Sequence, residues 1–169
     1  MRFGSRDLTL TAVFAAFYAA GVVFLAPISF EVFQVRVADA LLPLAVVFGL
    51  PAVFGTSLGC FVANFYGGLG VVDIVGGALA NFVACFLAWR IGGKSVSRRF
   101  AACVAETIVI TLIVGSYLPM LLGIPLEIGL LGVFLGSLVA INVLGFILLE
   151  TFYRSGLAGK YVESVKRFT

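Results

Sequence analysis

The sequence predicts an all-α, polytopic integral membrane protein: a six-helix bundle with both termini on the cytoplasmic side. Three observations predict it. Hydrophobic residue types make up 62% of the 169 residues and charged types only 11%, against roughly 25% charged in a soluble domain. The charges are confined to short segments, leaving uncharged stretches at 8–26, 40–72, 74–89, 107–126 and 128–149. Finally, ten of the eleven basic residues fall into three groups that an even number of crossings separates.

Each element follows in order. Arg2 and Arg6 precede the apolar run Leu8–Ala26. That run is long for a signal-peptide core and is followed by no small-x-small cleavage site, so 8–26 is read as the first membrane helix. The stretch 40–72 is too long for one crossing: at about 1.5 Å per residue it would reach about 50 Å, against a hydrocarbon core of about 30 Å. Gly49-Leu50-Pro51 supplies a break within it. Helices are therefore expected near 37–49 and 52–66, both short for full crossings and tilted, partly re-entrant or shielded by neighbours. The remaining three are expected at 72–91, 100–122 and 127–151. With six spans, Arg2 and Arg6, then Arg90, Lys94, Arg98 and Arg99, then Arg154, Lys160, Lys166 and Arg167 all lie on one side. The positive-inside rule makes that side the cytoplasm, and only Arg36 is left outside. The whole chain, 1–169, is one transmembrane domain.

Several function classes are excluded or disfavoured. There is no G-x-x-x-x-G-K-[ST] loop, so the chain does not hydrolyse ATP through a P-loop by itself. There is no histidine, and no nucleophile–base pair is recognisable. No catalytic residue, metal site, cofactor or nucleic-acid partner is expected. Cys60, Cys85 and Cys103 lack metal-ligand or CxxC spacing and read as small packing residues. Gly67-Gly68-Leu69-Gly70 joins two hydrophobic helices and reads as a flexible outer loop rather than a phosphate cradle.

Polar groups within the spans are expensive and are the first functional candidates. The outer side carries Glu31, Asp39, Asp73 and Glu127 against Arg36, an acidic mouth that suits a cationic or amidine-bearing ligand. Arg36 and Asp39, three apart, are placed to pair with one another or to face a ligand. Asp73 and Asn81, eight apart, differ by about 80° around a helix and share a broad face. Gly76 and Gly77 between them remove side-chain bulk, so that a flat ligand could approach the backbone; alternatively Asp73 simply caps its helix. Asn64 must find partners in an apolar bundle, either across helices or on a heterocycle edge, with Phe61, Phe65 or Tyr66 stacking on the ring. Asn142 and Tyr117 are weaker candidates. Glu106 and Glu150, near the inner ends of their spans, are expected to pair with the basic loop or the C-terminal segment. Ala12, Ala16 and Ala20 form a small-residue stripe on the first helix, with Ala15 and Ala19 beside it. Such a stripe permits close helix approach, either within this bundle or to a separate membrane protein.

Two ordered segments carry a family resemblance. Val35-Arg36-Val37-Ala38-Asp39-Ala40-Leu41-Leu42-Pro43-Leu44 is one. Gly59-Cys60-Phe61-Val62-Ala63-Asn64 followed by Gly67-Gly68-Leu69-Gly70-Val71-Val72-Asp73-Ile74-Val75-Gly76-Gly77-Ala78-Leu79-Ala80 is the other. Across roughly residues 8–90 the chain resembles the QueT family, substrate-binding S components of energy-coupling factor transporters. The resemblance implies a cell-membrane subunit that captures a queuosine precursor, a 7-deazaguanine base, from outside. It implies a separate transmembrane T component and two cytoplasmic ATPases as partners, with the stripe Ala12, Ala16 and Ala20 as the docking surface. Arg36, Asp39, Asn64 and Asp73 match polar positions of the family motif, and Asn81 and Tyr66 complete the expected substrate site. A carboxylate of Asp73 or Asp39 would accept the paired N–H donors of a guanine-like edge. The C-terminal half departs from the pattern, with Gly136-Ser137 where an acidic residue is expected and Glu106 where an asparagine is. The rival readings are an S component for another vitamin-like heterocycle, a self-sufficient secondary transporter, and an assembly subunit that binds no small molecule.

Overall fold

A computed structural model of the chain describes residues 4–26 and 35–156; the expectations placed on Arg2, Glu31, Lys160, Lys166 and Arg167 lie outside these. The described residues form six helices and no strand. They are α1 (Ser5–Phe24), α2 (Val37–Phe48), α3 (Leu50–Gly67), α4 (Val71–Ile91), α5 (Val96–Leu122) and α6 (Leu126–Arg154). The first, fourth, fifth and sixth are long and apolar enough to cross a bilayer. Their outward surface is apolar, with Phe17, Phe24, Val71, Leu112, Met120 and Ile147 among its exposed residues. The protein is a multi-pass membrane protein.

Helix ends follow local chemistry. Gly49, with φ 63° and ψ −138°, turns the chain between α2 and α3, and Pro51 starts α3 where its missing N–H is not needed. Left-handed glycines end α3 (Gly68, φ 72°) and α5 (Gly123, φ 67°). Ser95 caps α5 by accepting a hydrogen bond from the Arg98 N–H at 3.3 Å.

Side-chain neighbours fix the direction of each helix. Gly55 is seated against Thr11 and Phe14, and Gly59 against Ala15 and Tyr18, so α1 and α3 run parallel. Gly21 meets Ala38 at one end of the bundle, and Phe14 meets Phe48 with ring centroids 5.3 Å apart toward the other, so α2 runs back. Asn64 and Tyr117 both reach Asp73 at the outer end. At the inner end, Gly49 lies under Trp89 and Gly92 against Val46. Gly115 packs on Leu130 and Arg99 pairs with Glu150, which reverses α6 against α5. The six helices therefore alternate in direction, and the described basic residues other than Arg36 collect at one end.

The short second segment is neither re-entrant nor peripheral. Helix α2 packs against each of the other five, which form an arc in the order α1, α3, α4, α5, α6; the two ends of that arc meet at most marginally. Its residues Val37–Leu44 are wound as a 3₁₀ helix, continued by an α-helical turn, Ala45–Phe48. The 3₁₀ rise of about 2.0 Å per residue carries a twelve-residue segment across roughly 22 Å. Surrounded by protein, it needs no lipid-matched length. Pro43 fits because Gly145 of α6 leaves room for its ring. Facing it, Leu138–Gly145 of α6 forms a π-helical stretch.

Candidate functional site

The polar residues of the outer half are assembled by a connection of only three residues. Helix α3 ends at Gly67 and α4 begins at Val71. Gly68 and Gly70, with φ 72° and 102°, take backbone conformations that side-chain-bearing residues resist. This tight link sets Asn64 beside the first turn of α4, where its Nδ2 donates to the Asp73 carbonyl at 2.7 Å. From α5 the Tyr117 hydroxyl donates to Asp73 Oδ1 at 3.0 Å. Asn64 and Asp73 are fully buried, and Asn64 Oδ1 and Asp73 Oδ2 have no hydrogen-bond partner among the described residues. Two acceptor oxygens thus have unmet capacity, one of a carboxyl group and one of an amide.

The glycines of α4 serve this arrangement differently from expectation. A Cβ on Gly76 would lie 2.7 Å from the Tyr117 ring, and one on Gly77 would collide with the Asn64 amide. The bulk they remove is filled by the chain's own side chains. Tyr117 lies over Gly76, where the sequence suggested a flat ligand, so a ligand reaching this backbone must move that ring.

A second group sits around the start of α2. Asp39 is buried and its Oδ1 accepts from the Tyr18 hydroxyl at 2.5 Å. Its own N–H donates to the Arg36 carbonyl at 2.9 Å. The buried Arg36 guanidinium extends to the Cys60 sulfur, 3.6 Å from Nη1. Cys60 also touches the Gly77 position beside Asn64, so the Arg36–Asp39 group and the Asn64–Asp73 group adjoin. Arg36, Asp39, Asn64 and Asp73 are brought together as the sequence suggested. Tyr18 and Tyr117 complete the layer, one unconsidered and the other held only as a weaker candidate.

Two candidates fall elsewhere. Tyr66 is 65% exposed on the outer face of α3, as are Phe61 and Phe65, so none stacks over Asn64. The reason is geometric: two residues along a helix is about 200° of rotation, which turns Tyr66 away from the buried Asn64. Asn81 is buried but lies about 12 Å below Asp73 along α4. There its Nδ2 donates to the Thr56 carbonyl at 3.4 Å, tying α4 to α3.

The inner acids also divide. Glu150 pairs as expected: Arg99 Nε and Nη2 reach its two oxygens at 2.5 and 3.0 Å, and Arg154 lies at 3.5 Å. The Arg99 guanidinium also donates to the Lys94 carbonyl at 2.6 Å and stacks 3.9 Å from the Tyr153 ring centroid. Glu106 makes no such pair. It points into the bundle, fully buried, because it shares the inward face of α5 with Ala102, Cys103 and Ile110. Of the small residues on α1, Ala15 turns toward Gly59, whereas Ala12, Ala16 and Ala20 are exposed on the side opposite the buried Thr11, Phe14 and Tyr18.

Among the described residues no group of histidine, cysteine and acidic side chains is placed to hold a metal ion. The sequence model of a family described as QueT transporter matches residues 8–154, extending well beyond the two motifs into the C-terminal half. No curated protein and no solved structure gives a match.

Proposed function

This chain belongs to the QueT transporter family, a family of transporters rather than enzymes, and we propose that it is the substrate-binding S component of an energy-coupling factor transporter for a queuosine precursor. The observation that carries this reading is the pair of buried, unpartnered acceptors, Asp73 Oδ2 and Asn64 Oδ1. Leaving such oxygens without donors in an apolar bundle is costly. A guanine-like edge, with its N–H and NH₂ side by side, supplies donors in the arrangement a carboxylate and a neighbouring amide oxygen accept. Arg36, adjoining, places a guanidinium beside this pair.

In the proposed cycle the base enters from the outer end and displaces the Tyr117 ring from above Gly76. It takes over hydrogen bonding at Asp73 and is released inward after the subunit moves against its partners. The partners are a transmembrane T component and two cytoplasmic ATPases. The exposed stripe of Ala12, Ala16 and Ala20 supports docking, because these small residues face away from the bundle interior and offer a close-approach surface.

The test is calorimetry on the purified chain in detergent with 7-deazaguanine bases and guanine, with Asp73→Asn in parallel. Saturable binding of a deazaguanine that the substitution abolishes supports the reading. No binding of any base by folded protein overturns the substrate assignment.

A further inference from the structure

The inner half of α5 carries a feature that substrate capture leaves unused. A groove of about 600 Å³ runs along the side of the bundle, lined by Val96, Ser97, Phe100, Ala101 and Val104 of α5 and by Phe146 of α6. The α5 positions recur at helical spacing and form one outward stripe about 12 Å long. Val96 and Phe100 are about half exposed along it. The Phe100 and Phe146 rings meet edge to face, with centroids 5.3 Å apart, and join the two helices. Ala101, with a single methyl group, leaves room beside them. Apart from the Ser97 hydroxyl every lining side chain is apolar. The groove therefore opens toward lipid tails, at the depth of the inner leaflet.

Positive charge stands at its inner lip. Arg98 and Arg99 turn away from the groove, Arg98 to the Ile91 carbonyl at 3.0 Å and Arg99 to Glu150. Lys94, two residues before Val96, is held by its backbone: its carbonyl accepts from Arg99 Nη1 at 2.6 Å. Its side chain is exposed and has no acidic partner among the described residues. From α6, Arg154 stands eight residues beyond Phe146, about 12 Å nearer the inner end and about 80° around the helix. Glu150 is level with Arg99, so Arg154, one turn further on, reaches the level of Ser95. The Arg154 side chain is 78% exposed, and the Glu150 oxygen it approaches at 3.5 Å is already bound by Arg99 Nη2. An exposed pair of this kind holds its members weakly. Around the inner ends of α4, α5 and α6, the described residues set Arg90, Lys94, Arg98, Arg99 and Arg154 against a single acid, Glu150.

We propose that the groove is a binding site for one anionic phospholipid of the inner leaflet. An acyl chain lies along Phe100, Val104 and Phe146, and the phosphate is held by Lys94, Arg154 and the Ser97 hydroxyl. Any lipid tail suits the apolar channel; the cations at its lip select a negative head. A zwitterionic lipid fills the same channel but brings a positive group of its own to that lip. The site is independent of the outer polar layer and of what that layer binds.

The test is native mass spectrometry of the full-length chain in detergent, with phosphatidylglycerol and phosphatidylcholine of identical acyl chains. The parent chain is expected to retain phosphatidylglycerol over phosphatidylcholine by about tenfold or more, and each cation removed from the lip to lower that preference about fivefold. Lys94→Gln combined with Arg154→Gln therefore abolishes it. Arg90→Gln leaves it, since that guanidinium lies over the Phe86 and Trp89 rings, 5.9 and 6.0 Å from their centroids. Ala101→Phe fills the groove and lowers retention of both lipids. Equal retention by the parent chain overturns the proposal. So does a preference that survives the double substitution, or one that Arg90→Gln reduces as much. Retention unaffected by Ala101→Phe overturns the groove as the seat of the tail. Glycerol phosphate, the head without tails, binding as tightly as the lipid would make this a free-phosphate site and overturn the lipid. Loss of co-purifying protein from the double variant, with lipid preference intact, would make the groove a protein interface instead. Should Ala101→Phe not fold, the double substitution at exposed positions decides.

Discussion

The two ends of the bundle each gather polar side chains around a carboxyl group and finish them differently. At the inner end, Arg99, Glu150 and Arg154 close on themselves: the guanidinium of Arg99 is used by a carboxylate, a backbone carbonyl and an aromatic face. At the outer end, Asn64 and Asp73 each spend one polar atom on holding position and leave an oxygen unspent. A buried polar group that is fully satisfied is architecture, and its loss is felt in stability. One that is half satisfied is available to something else, and its loss is felt in binding. The contrast separates structural polarity from the polarity proposed to be functional, within a bundle whose outward-facing helix surfaces are largely apolar.

Breaking the inner clamp is expected to give the largest effect. Arg99→Ala leaves Glu150 without its bidentate partner and should destabilise the fold by about 3 kcal/mol or more, read as a fall in the thermal midpoint in detergent. The same loss of stability from Asp73→Asn would erase the contrast. That variant is expected instead to lower deazaguanine affinity by tenfold or more while shifting the midpoint little, since the replaced oxygen stabilises nothing in the chain. Between these, Gly76→Ala forces a methyl group against the Tyr117 ring. It is expected to cost about 1–3 kcal/mol through overpacking, and near-UV circular dichroism will report the tyrosine's displacement. Ala16→Leu should leave stability and ligand affinity within about 0.5 kcal/mol of the parent but reduce co-purification of the proposed partner subunits; unchanged co-purification would rule the stripe out as a docking surface. Smallest of all, Tyr66→Ala should change ligand affinity by less than twofold, which calorimetry on the same preparation will check.

How much of this was legible in the sequence depended on whether charge or periodicity carried the information. Charge placed the helices. The uncharged stretches and the Gly49-Leu50-Pro51 break located six segments within a few residues of their observed ends, and the basic groups gave their alternation. Periodicity failed at choosing faces, because lipid-facing and core-facing residues are both apolar here and no amphipathic stripe marks the interior. That is why Tyr66 was grouped with Asn64 although it points outward, and why Glu106 and Glu150 looked equivalent although only one reaches a cation. For the same reason the shielding of α2 by its neighbours stood only as one alternative beside tilt and re-entry, its apolar residues reading equally well as lipid-facing. Tyr18 was passed over because an aromatic residue in a membrane helix suggests packing, and only the buried Asp39 opposite reveals the use of its hydroxyl. The glycine pair at Gly76 and Gly77 was recognised as removing bulk, but sequence could not say whose bulk would take the space.

The enclosure of α2 by five other helices also bears on biosynthesis. Every residue of the outer layer has been translated once Tyr117 is made, yet the surface on which Ala40 and Pro43 rest is supplied by Gly145. During synthesis the helix bearing Arg36 and Asp39 leaves the ribosome second and gains its last neighbour near the end of translation. A chain truncated after Gly123 contains all the groups proposed to face the ligand and is expected to bind nothing. Maturation of the site is thus a late event in the life of the nascent chain.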